Sequence, residues 1–257
     1  QGDGTFVGGS TLAAGDAPFT IDVGLLNGDA HRDLAVTNSG NGTISIFLGN
    51  GDGTFAAPTS IAAGGTTPTA ITIADTNGDL AMDLVYTTGF DLQQRLGAGN
   101  GTFAAPVSLG ALNGSEGITT GSFNADSIPD VAATSTGTSM AYVYVGNGNG
   151  TFSAPSSTST GSSPYSIVAQ DFNGDEKLDW AAVNYNSSNV SVGRGIGDGT
   201  FMAAVNVAAG TLPRTIASAD FNADGKPDLA IGNMSSTLRI LLNTTLYPYE
   251  LFANGFE

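Results

Sequence analysis

The sequence contains no cysteine, very little positive charge and no long hydrophobic segment. The absence of cysteine from the 257 residues excludes disulfides, zinc–thiolate sites and cysteine nucleophiles. Lysine and arginine total 7 against 23 acidic residues, which gives a formal net charge of −16. Such a chain lacks the basic surface that nucleic acids require, so we expect it to bind no nucleic acid. No apolar run is long enough to span a bilayer, so we expect no transmembrane segment.

The residues that are abundant point to strands, turns and local clusters of acid. Hydrophobic residues make up 40% of the chain and charged residues 12%, and there are 37 glycines. This composition favours short strands and tight turns over helices. Of the 23 acidic residues 19 are aspartate and 4 are glutamate. Aspartate is the acidic side chain favoured in turns and cation-binding loops. We therefore expect the acidic residues to serve particular local sites.

Two motifs recur along the chain with the same spacing. One is a glycine-rich turn that ends in Gly-Thr-Phe, and its five copies end at Phe6, Phe55, Phe103, Phe152 and Phe201. The other is an acidic motif, seen as DTNGDLAMD at residues 75–83, DFNGDEKLD at 171–179 and DFNADGKPD at 220–228. The final aspartates of its five copies are Asp33, Asp83, Asp130, Asp179 and Asp228. Both series have a period of about 49 residues, which indicates an internal repeat.

Each repeat contains four short segments that alternate as strands do. Examples are PTAITIA (68–74), DLAVTN (33–38), TISIFLG (43–49) and AAPTSIAAG (56–64), and four strands per repeat is typical of a β-propeller blade. The last repeat lacks its Gly-Thr-Phe turn and fourth strand, and both occur at the N-terminus in GDGTFVGGSTLAAG (2–15). We therefore predict an all-β, five-bladed β-propeller of four-stranded blades over residues 1–243, with a C-terminal tail over 244–257. The N-terminal strand is expected to complete the last blade and close the ring.

The paired motifs resemble the FG-GAP/VCBS repeats of secreted bacterial proteins and of the propeller heads of integrin α subunits. The resemblance covers about residues 1–243. It implies a calcium-binding β-propeller in which the nine-residue acidic loops hold the ions. The residue types agree, because Ca²⁺ takes about six to eight hard oxygen ligands and alternating Asp and Asn side chains in a tight loop converge on one point.

Three copies of the acidic loop match the family's ligand pattern completely. Their implied Ca²⁺ ligands are Asp75, Asn77, Asp79 and Asp83; Asp171, Asn173, Asp175 and Asp179; and Asp220, Asn222, Asp224 and Asp228. The backbone carbonyls of Ala81, Lys177 and Lys226 are implied as further ligands. Leu25 and Ser122 replace the opening aspartate in the first and third copies, so weaker or empty sites are expected at Asn27, Asp29 and Asp33, and at Asn124, Asp126 and Asp130. The alternative is that the loops are Asx-turns without an ion, but three carboxylates in one loop would then repel each other.

The sequence offers little that predicts an enzyme. His31 is the only histidine, and a Ser-His-Asp site built on it is formally possible, although its place in the first acidic loop explains it better. We interpret Trp180 as a core residue. The aromatic residues Phe90, Tyr142, Tyr144 and Tyr185 either line a carbohydrate- or protein-binding surface or wedge between blades, and we favour the wedge.

These observations lead to a functional prediction with one alternative. The chain begins at Gln1 within a motif, which is typical of a mature end whose leader has been removed. We predict a secreted or cell-surface, calcium-stabilised, non-enzymatic binding or adhesion module for a protein or carbohydrate ligand. The alternative is a structural subunit of an extracellular polymer, filament or surface layer. It would assemble with copies of itself through the aromatic tail at 246–257.

Overall fold

The protein is built from short antiparallel β-strands. The computed structural model describes residues 4, 6 and 8–245, and this part of the chain contains nineteen strands and no helix. Among these residues there is consequently no helix with the length and hydrophobicity needed to cross a membrane. The all-β prediction is confirmed.

The strands form five separate sheets, each made of strands that are consecutive in sequence. The first sheet contains β1 (Pro18–Gly24), β2 (Asp33–Asn38), β3 (Thr43–Phe47) and β4 (Thr59–Ala62). The second contains β5 (Ile71–Ala74), β6 (Asp83–Thr87), β7 (Asp91–Arg95) and β8 (Val107–Ala111). The third contains β9 (Ile118–Gly121), β10 (Asp130–Ser135), β11 (Met140–Tyr144) and β12 (Ser156–Ser159). The fourth contains β13 (Pro164–Gln170), β14 (Asp179–Asn184), β15 (Asn189–Gly193) and β16 (Val205–Ala208). The fifth contains β17 (Pro213–Ala219), β18 (Asp228–Asn233) and β19 (Thr237–Leu241).

Neighbouring sheets contact each other through their first strands, in the order of the sequence. β1 contacts β5, β5 contacts β9, β9 contacts β13 and β13 contacts β17. Side-chain hydrogen bonds join some of these strands, as where the Ile73 N–H of β5 donates to Asp22 Oδ2 of β1 at 2.8 Å. One sheet per repeat and sequential packing of the sheets make the architecture propeller-like.

The hydrophobic core lies between the sheets. Ile44 and Ile46 of β3 pack against Ile71 and Tyr86 of the second sheet. The exposed fractions of Ile44 and Ile46 are 0% and 1%. Similar clusters lie between the second and third sheets, the third and fourth, and the fourth and fifth. Each sheet therefore buries its apolar side chains only by packing against a neighbour, as expected of a repeat protein.

Trp180 is a core residue, as predicted. It is fully buried, and it is paired across the sheet with Gly193. A Cβ atom at Gly193 would lie 2.3 Å from the Trp180 ring. The Trp180 side chain therefore fits only because residue 193 is a glycine. In the other sheets the position of Gly193 holds a large residue: Phe47, Arg95, Tyr144 and Leu241.

The other aromatic residues divide between the two interpretations. Tyr144 is 1% exposed, and Tyr142 packs against the same core cluster, which agrees with the wedge. Phe90 is 71% exposed, so the wedge interpretation is wrong for this residue: it lies in the short turn between β6 and β7, outside any interface between sheets. The Tyr185 ring lies 5.1 Å from that of Tyr165.

An ion pair connects sheets that are not adjacent. Arg214 of β17 donates to Glu116 at 2.9 Å, and its guanidinium lies 4.5 Å from the centre of the Tyr165 ring. Burial raises the pKa of Glu116, and the Arg214 charge opposes this shift. The contact runs from the connection before β9 to β17 of the fifth sheet, beside Tyr165 of the fourth.

The fifth sheet differs from the others in having three strands. Residues 8–17, which were predicted to contribute its fourth strand, form no strand in the structure. The predicted four-stranded blade is therefore seen in four of the five repeats, and closure of the ring stays a prediction. The predicted tail at 246–257 lies outside the described residues.

Candidate metal centre

The acidic loops connect the first and second strands of each sheet and lie beside the glycine-rich turns. The first loop, residues 25–33, runs from β1 into β2. The N–H of Gly49, which opens the glycine-rich turn that ends at Phe55, donates to Asp33 Oδ1 at 2.8 Å. The same contact recurs in the next three sheets, from Gly97, Gly146 and Gly195. One end of the molecule thus carries both repeated motifs.

The last aspartate of each loop is a buried structural anchor. Asp33 is 0% exposed and accepts the N–H groups of Leu26 at 2.7 Å and Gly49 at 2.8 Å, one on each carboxylate oxygen. The equivalent residues share this burial and this pattern: Asp83, Asp130, Asp179 and Asp228. The sequence identified these residues as ligands and missed this role, which ties the acidic loop to the end of the third strand.

Burial raises the pKa of two of these carboxyls, Asp179 and Asp130. Desolvation raises the pKa of Asp179 to about 6, although the N–H groups of Gly195 and Phe172 oppose the shift. Desolvation also raises the pKa of Asp130, against the N–H groups of Gly146 and Phe123. An ionised carboxylate is thus costly at these positions unless positive charge or further donors reach it.

The opening aspartate of a complete loop binds the backbone of the loop itself. Asp75 accepts the N–H of Gly78 at 2.8 Å on Oδ1 and that of Leu80 at 2.9 Å on Oδ2. Asp171 accepts the corresponding N–H groups of Gly174 and Glu176. Asp220 accepts that of Gly225 at 2.8 Å, and this bond lowers the pKa of Asp220.

The third and fifth positions of each loop lie next to each other. In the second loop Asn77 Nδ2 donates to Asp79 Oδ2 at 2.8 Å, and Asp79 Oδ1 accepts the N–H of Ala81 at 2.8 Å. The same amide–carboxylate contact occurs in the first, third and fifth loops. In these four loops the third and fifth candidate ligands are therefore close neighbours.

The side chains present fit Ca²⁺ in chemical kind. The first, third, fifth and ninth positions of the complete loops offer carboxylate and amide oxygens, which is the set that this ion prefers. Among the described residues, no three acidic or histidine side chains stand close enough together to hold a metal ion. In the opening aspartates Oδ1 accepts two or three N–H groups, whereas Oδ2 accepts one and keeps a lone pair for a ligand bond.

The two degenerate loops, predicted to be alike, differ in backbone conformation. The complete second loop has positive φ at its fourth and sixth positions, 77° at Gly78 and 68° at Leu80. The third loop has the same conformation, with φ of 60° at Ala125 and 66° at Ser127. Its Ser122 hydroxyl accepts the N–H of Ser127 at 3.0 Å, in place of the aspartate.

The first loop does not share this conformation. Neither Gly28 nor Ala30 has a positive φ, and Leu25 offers no oxygen from its side chain. His31 is exposed, with Nδ1 3.7 Å from Asp29 Oδ2. This histidine is therefore a solvated loop residue beside a carboxylate, and the first loop is the least suited of the five to hold an ion.

The glycine-rich turns fill the spaces between sheets, a role that the sequence motif alone did not reveal. Phe103, Phe152 and Phe201, each from the turn of one sheet, pack against core clusters shared with the preceding sheet. In the turn that ends at Phe103, the N–H of Gly101 donates to the Leu26 carbonyl at 2.8 Å. Gly150 and Gly199 make the equivalent bonds to Thr76 and Phe123. These turns join each sheet to the one before it.

Solved structures share this architecture at low sequence identity. A lectin from Agrocybe aegerita, described as recognising non-reducing terminal N-acetylglucosamine, has 16% identity and a TM-score of 0.60, over 89% of this chain and 67% of its own. A protein from Lactobacillus plantarum has 12% identity and a TM-score of 0.63, over 90% of this chain and 72% of its own. The V. cholerae biofilm matrix protein Bap1 has 16% identity and a TM-score of 0.53, over 80% of this chain and 30% of its own. At these identities the likeness concerns the fold.

The sequence itself matches a family model over most of the repeats. No curated protein sequence matches the chain. The model of the FG-GAP-like repeat matches residues 26–86, 123–182 and 171–231, which together cover more than half of the chain. These matches contain all five acidic loops from their second position or earlier, including the three complete ones in full. The chain therefore belongs to the FG-GAP-like repeat family.

Proposed function

We propose that this protein is a secreted, calcium-stabilised, non-enzymatic module that binds a protein or carbohydrate ligand at the cell surface or outside the cell. The observation that carries the calcium part is the repeated loop, in which three complete copies have the same oxygen-bearing side chains on the same backbone turn. An ion bound only by the folded loops stabilises the fold by mass action. Its ligands would be Asp75, Asp171 and Asp220 with the Asn and Asp residues at the third, fifth and ninth positions of their loops.

The binding part is supported by family and by likeness of fold. Repeats of this family form a propeller-like array here, and the array resembles a lectin and a biofilm matrix protein. Phe90 at 71% exposure and Met234 at 60% add apolar side chains to the surface formed by the turns between second and third strands. That surface faces away from the acidic loops, so ligand binding and calcium binding would use opposite ends of the molecule.

The proposal includes a closed ring. The N-terminal segment at 2–15 supplies the strand that the fifth sheet lacks, and the ring thereby loses its open edge, which would otherwise template aggregation.

A second candidate function is a structural subunit of an extracellular polymer or surface layer. It is favoured by the likeness to a biofilm matrix protein. In this form the tail at 246–257 would contact a neighbouring copy.

Light scattering separates the two functions. The full chain and a 1–245 truncation are compared in millimolar calcium. A binding module predicts that both are monomers, and immobilised glycans and candidate proteins then serve as probes. If the full chain forms large assemblies that disappear on truncation, the protein is the structural subunit and the binding-module proposal is wrong.

A further inference from the structure

A hydrophobic cavity lies between the fourth and fifth sheets at the end that carries the acidic loops. Its volume is about 320 Å³, and its lining includes Phe172, Val190 and Val207 from the fourth repeat and Leu229 and Leu241 from the fifth. An apolar cavity of this size between packed sheets forfeits the contacts of a large side chain.

The equivalent space in the other interfaces is filled by a phenylalanine. Between the first and second sheets, Phe103 packs against the cluster that contains Leu26, Ile44 and Ile61. These three residues occupy the repeat positions of Phe172, Val190 and Val207. Phe152 and Phe201 fill the next two interfaces in the same way. The interface between the fourth and fifth sheets lacks its phenylalanine because β19 runs into LLNTTLYPYE without a Gly-Thr-Phe turn.

The third strand of the fifth sheet also lacks its usual cover. Leu238 and Ile240 of β19 are 70% and 43% exposed. Their counterparts in β3, Ile44 and Ile46, are 0% and 1% exposed, because the second sheet packs on them. One edge and one face of the fifth sheet are thus open.

A matching open face belongs to the first sheet. Ile21 of β1 is 57% exposed, with Phe19 at 45% and Val23 at 50% on the same side of the strand. The counterparts of Ile21 in the second, fourth and fifth sheets are Ile71, Ile167 and Ile216, and their exposed fractions are 7%, 4% and 7%. Among the residues that the structure describes, the first sheet therefore has no preceding neighbour, just as the fifth has no following one.

The missing phenylalanine turn is present at the N-terminus of the same chain. Phe6 ends the copy GDGTF and is 98% exposed. It precedes Pro18 at the start of β1 by the same number of residues as Phe201 precedes Pro213 at the start of β17. A segment that docks through Phe6 on the fifth sheet would therefore deliver the chain into the first sheet with the spacing that the repeats use.

We propose that Phe6 fills the cavity between the fourth and fifth sheets and that residues 10–13 form the fourth strand of the fifth sheet, within one chain. The register follows from the first sheet, where Ile44 pairs with Ile61 and Ser45 with Ser60. By repeat position Leu238 pairs with Leu12 and Arg239 with Thr11. The Gly4 N–H donates to the Phe172 carbonyl, as Gly101 does to Leu26. Phe19 and Ile21 then cover Leu238 and Ile240. The inference rests on the closed ring of the proposed function and specifies its contacts.

Disulfide trapping tests both the register and the source of the strand. The chain has no cysteine, so any disulfide is the engineered one. The double variant Thr11→Cys/Arg239→Cys places two thiols directly opposite each other in the proposed pairing. In the matched control Thr11→Cys/Leu238→Cys the thiols point to opposite faces of the sheet. After mild oxidation, free thiols are counted and the products are separated on a non-reducing gel.

The proposal expects Thr11→Cys/Arg239→Cys to lose nearly all of its free thiols while it still migrates as a monomer on the gel. The control Thr11→Cys/Leu238→Cys is expected to keep its free thiols. Disulfide-linked dimers would show that a second copy supplies the strand, and free thiols in both variants would show that the strand is not there. Either result overturns the inference.

Melting of single variants tests the cavity separately. Phe6→Ala is expected to lower the Tm by roughly 5 to 10 °C, since it would empty a filled cavity. Phe90→Ala serves as the exposed control and should leave the Tm unchanged. Equal melting of Phe6→Ala and the parent protein overturns the assignment of Phe6. Calcium stabilisation of the parent and of Phe6→Ala is measured as the difference in Tm between millimolar calcium and EDTA, so a failure of this inference is distinguishable from a failure of the proposed function.

Discussion

The ninth aspartate of each acidic loop shows how one side chain serves both the fold and the site. Asp179 is fully buried and accepts one N–H group on each oxygen, from Phe172 and Gly195. These bonds do not fully offset desolvation, and its pKa rises from 3.8 to about 6. A nearby cation would remove this cost, which couples the anchor to the proposed ion.

Asp179 gives a prediction for the pH dependence of the metal-free protein. Because its pKa is raised in the folded state, its contribution to stability is fully present below the unfolded pKa and is lost as pH rises through about 6. From pH 4 to pH 7 this group should remove on the order of 3 kcal/mol from the free energy of unfolding. Urea unfolding in EDTA of the parent and of Asp179→Asn, at a series of pH values, measures the difference. A difference between the two proteins that is constant with pH would contradict the raised pKa.

Individual residues also show where the sequence was sufficient and where it was not. The burial of Trp180 could be predicted because the other repeats carry Leu or Val at its position. The vacancy at Gly193 that admits it could not, because it depends on which residues pair across the sheet. Phe90 was misjudged for a related reason: its strand propensity is local, whereas its exposure is set by the turn in which it lies.

The acidic loops differ as elements more than their sequences indicate. The third loop keeps the left-handed residues of the complete loops at Ala125 and Ser127, and the first loop does not. A positive φ is not predicted from sequence at alanine or serine, because glycine adopts this conformation more readily. In the complete loops this conformation occurs together with N–H contacts to the opening side chain, and Ser122 keeps such a contact in the third loop.

This difference predicts which degenerate loop can be repaired. Ser122→Asp should create a further calcium site, because only the ligand is missing from an otherwise complete backbone. Leu25→Asp is the matched control and should add none, since its loop has another conformation. Calorimetric titration with calcium measures the number of tight sites, with a gain of about one expected for Ser122→Asp alone. A gain in both variants, or in Leu25→Asp only, would show that the backbone conformation of the loop does not determine whether it can bind calcium.

Strands were the most predictable elements. The segment DLAVTN at 33–38 is β2, and the sheet order follows the order of the sequence. The fifth sheet was the exception, since its fourth strand was expected from a segment distant in sequence and residues 8–17 form no strand. Local periodicity predicts that a segment can be a strand, but pairing between distant segments is a property of the whole fold.

The whole molecule carries its negative charge unevenly. Of the 19 aspartates, 13 lie in the five acidic loops, and those loops share one end of the array with the glycine-rich turns. Backbone N–H groups satisfy many of these oxygens but leave the charge uncompensated, because the chain has only 7 basic residues. Bound divalent cations would remove much of this repulsion and tie each sheet to its neighbour through the anchored loops.

The central claim, that calcium in the complete loops stabilises the array, is tested most directly by thermal unfolding in millimolar calcium and in EDTA. With three sites at about a hundredfold excess over Kd, each contributing roughly 3 kcal/mol, the account predicts that EDTA lowers the Tm by on the order of 15 °C. The triple variant Asp75→Asn/Asp171→Asn/Asp220→Asn should melt at one temperature in both buffers. An unchanged Tm for the parent protein in EDTA would contradict the claim and leave the loops as Asx-turns without an ion.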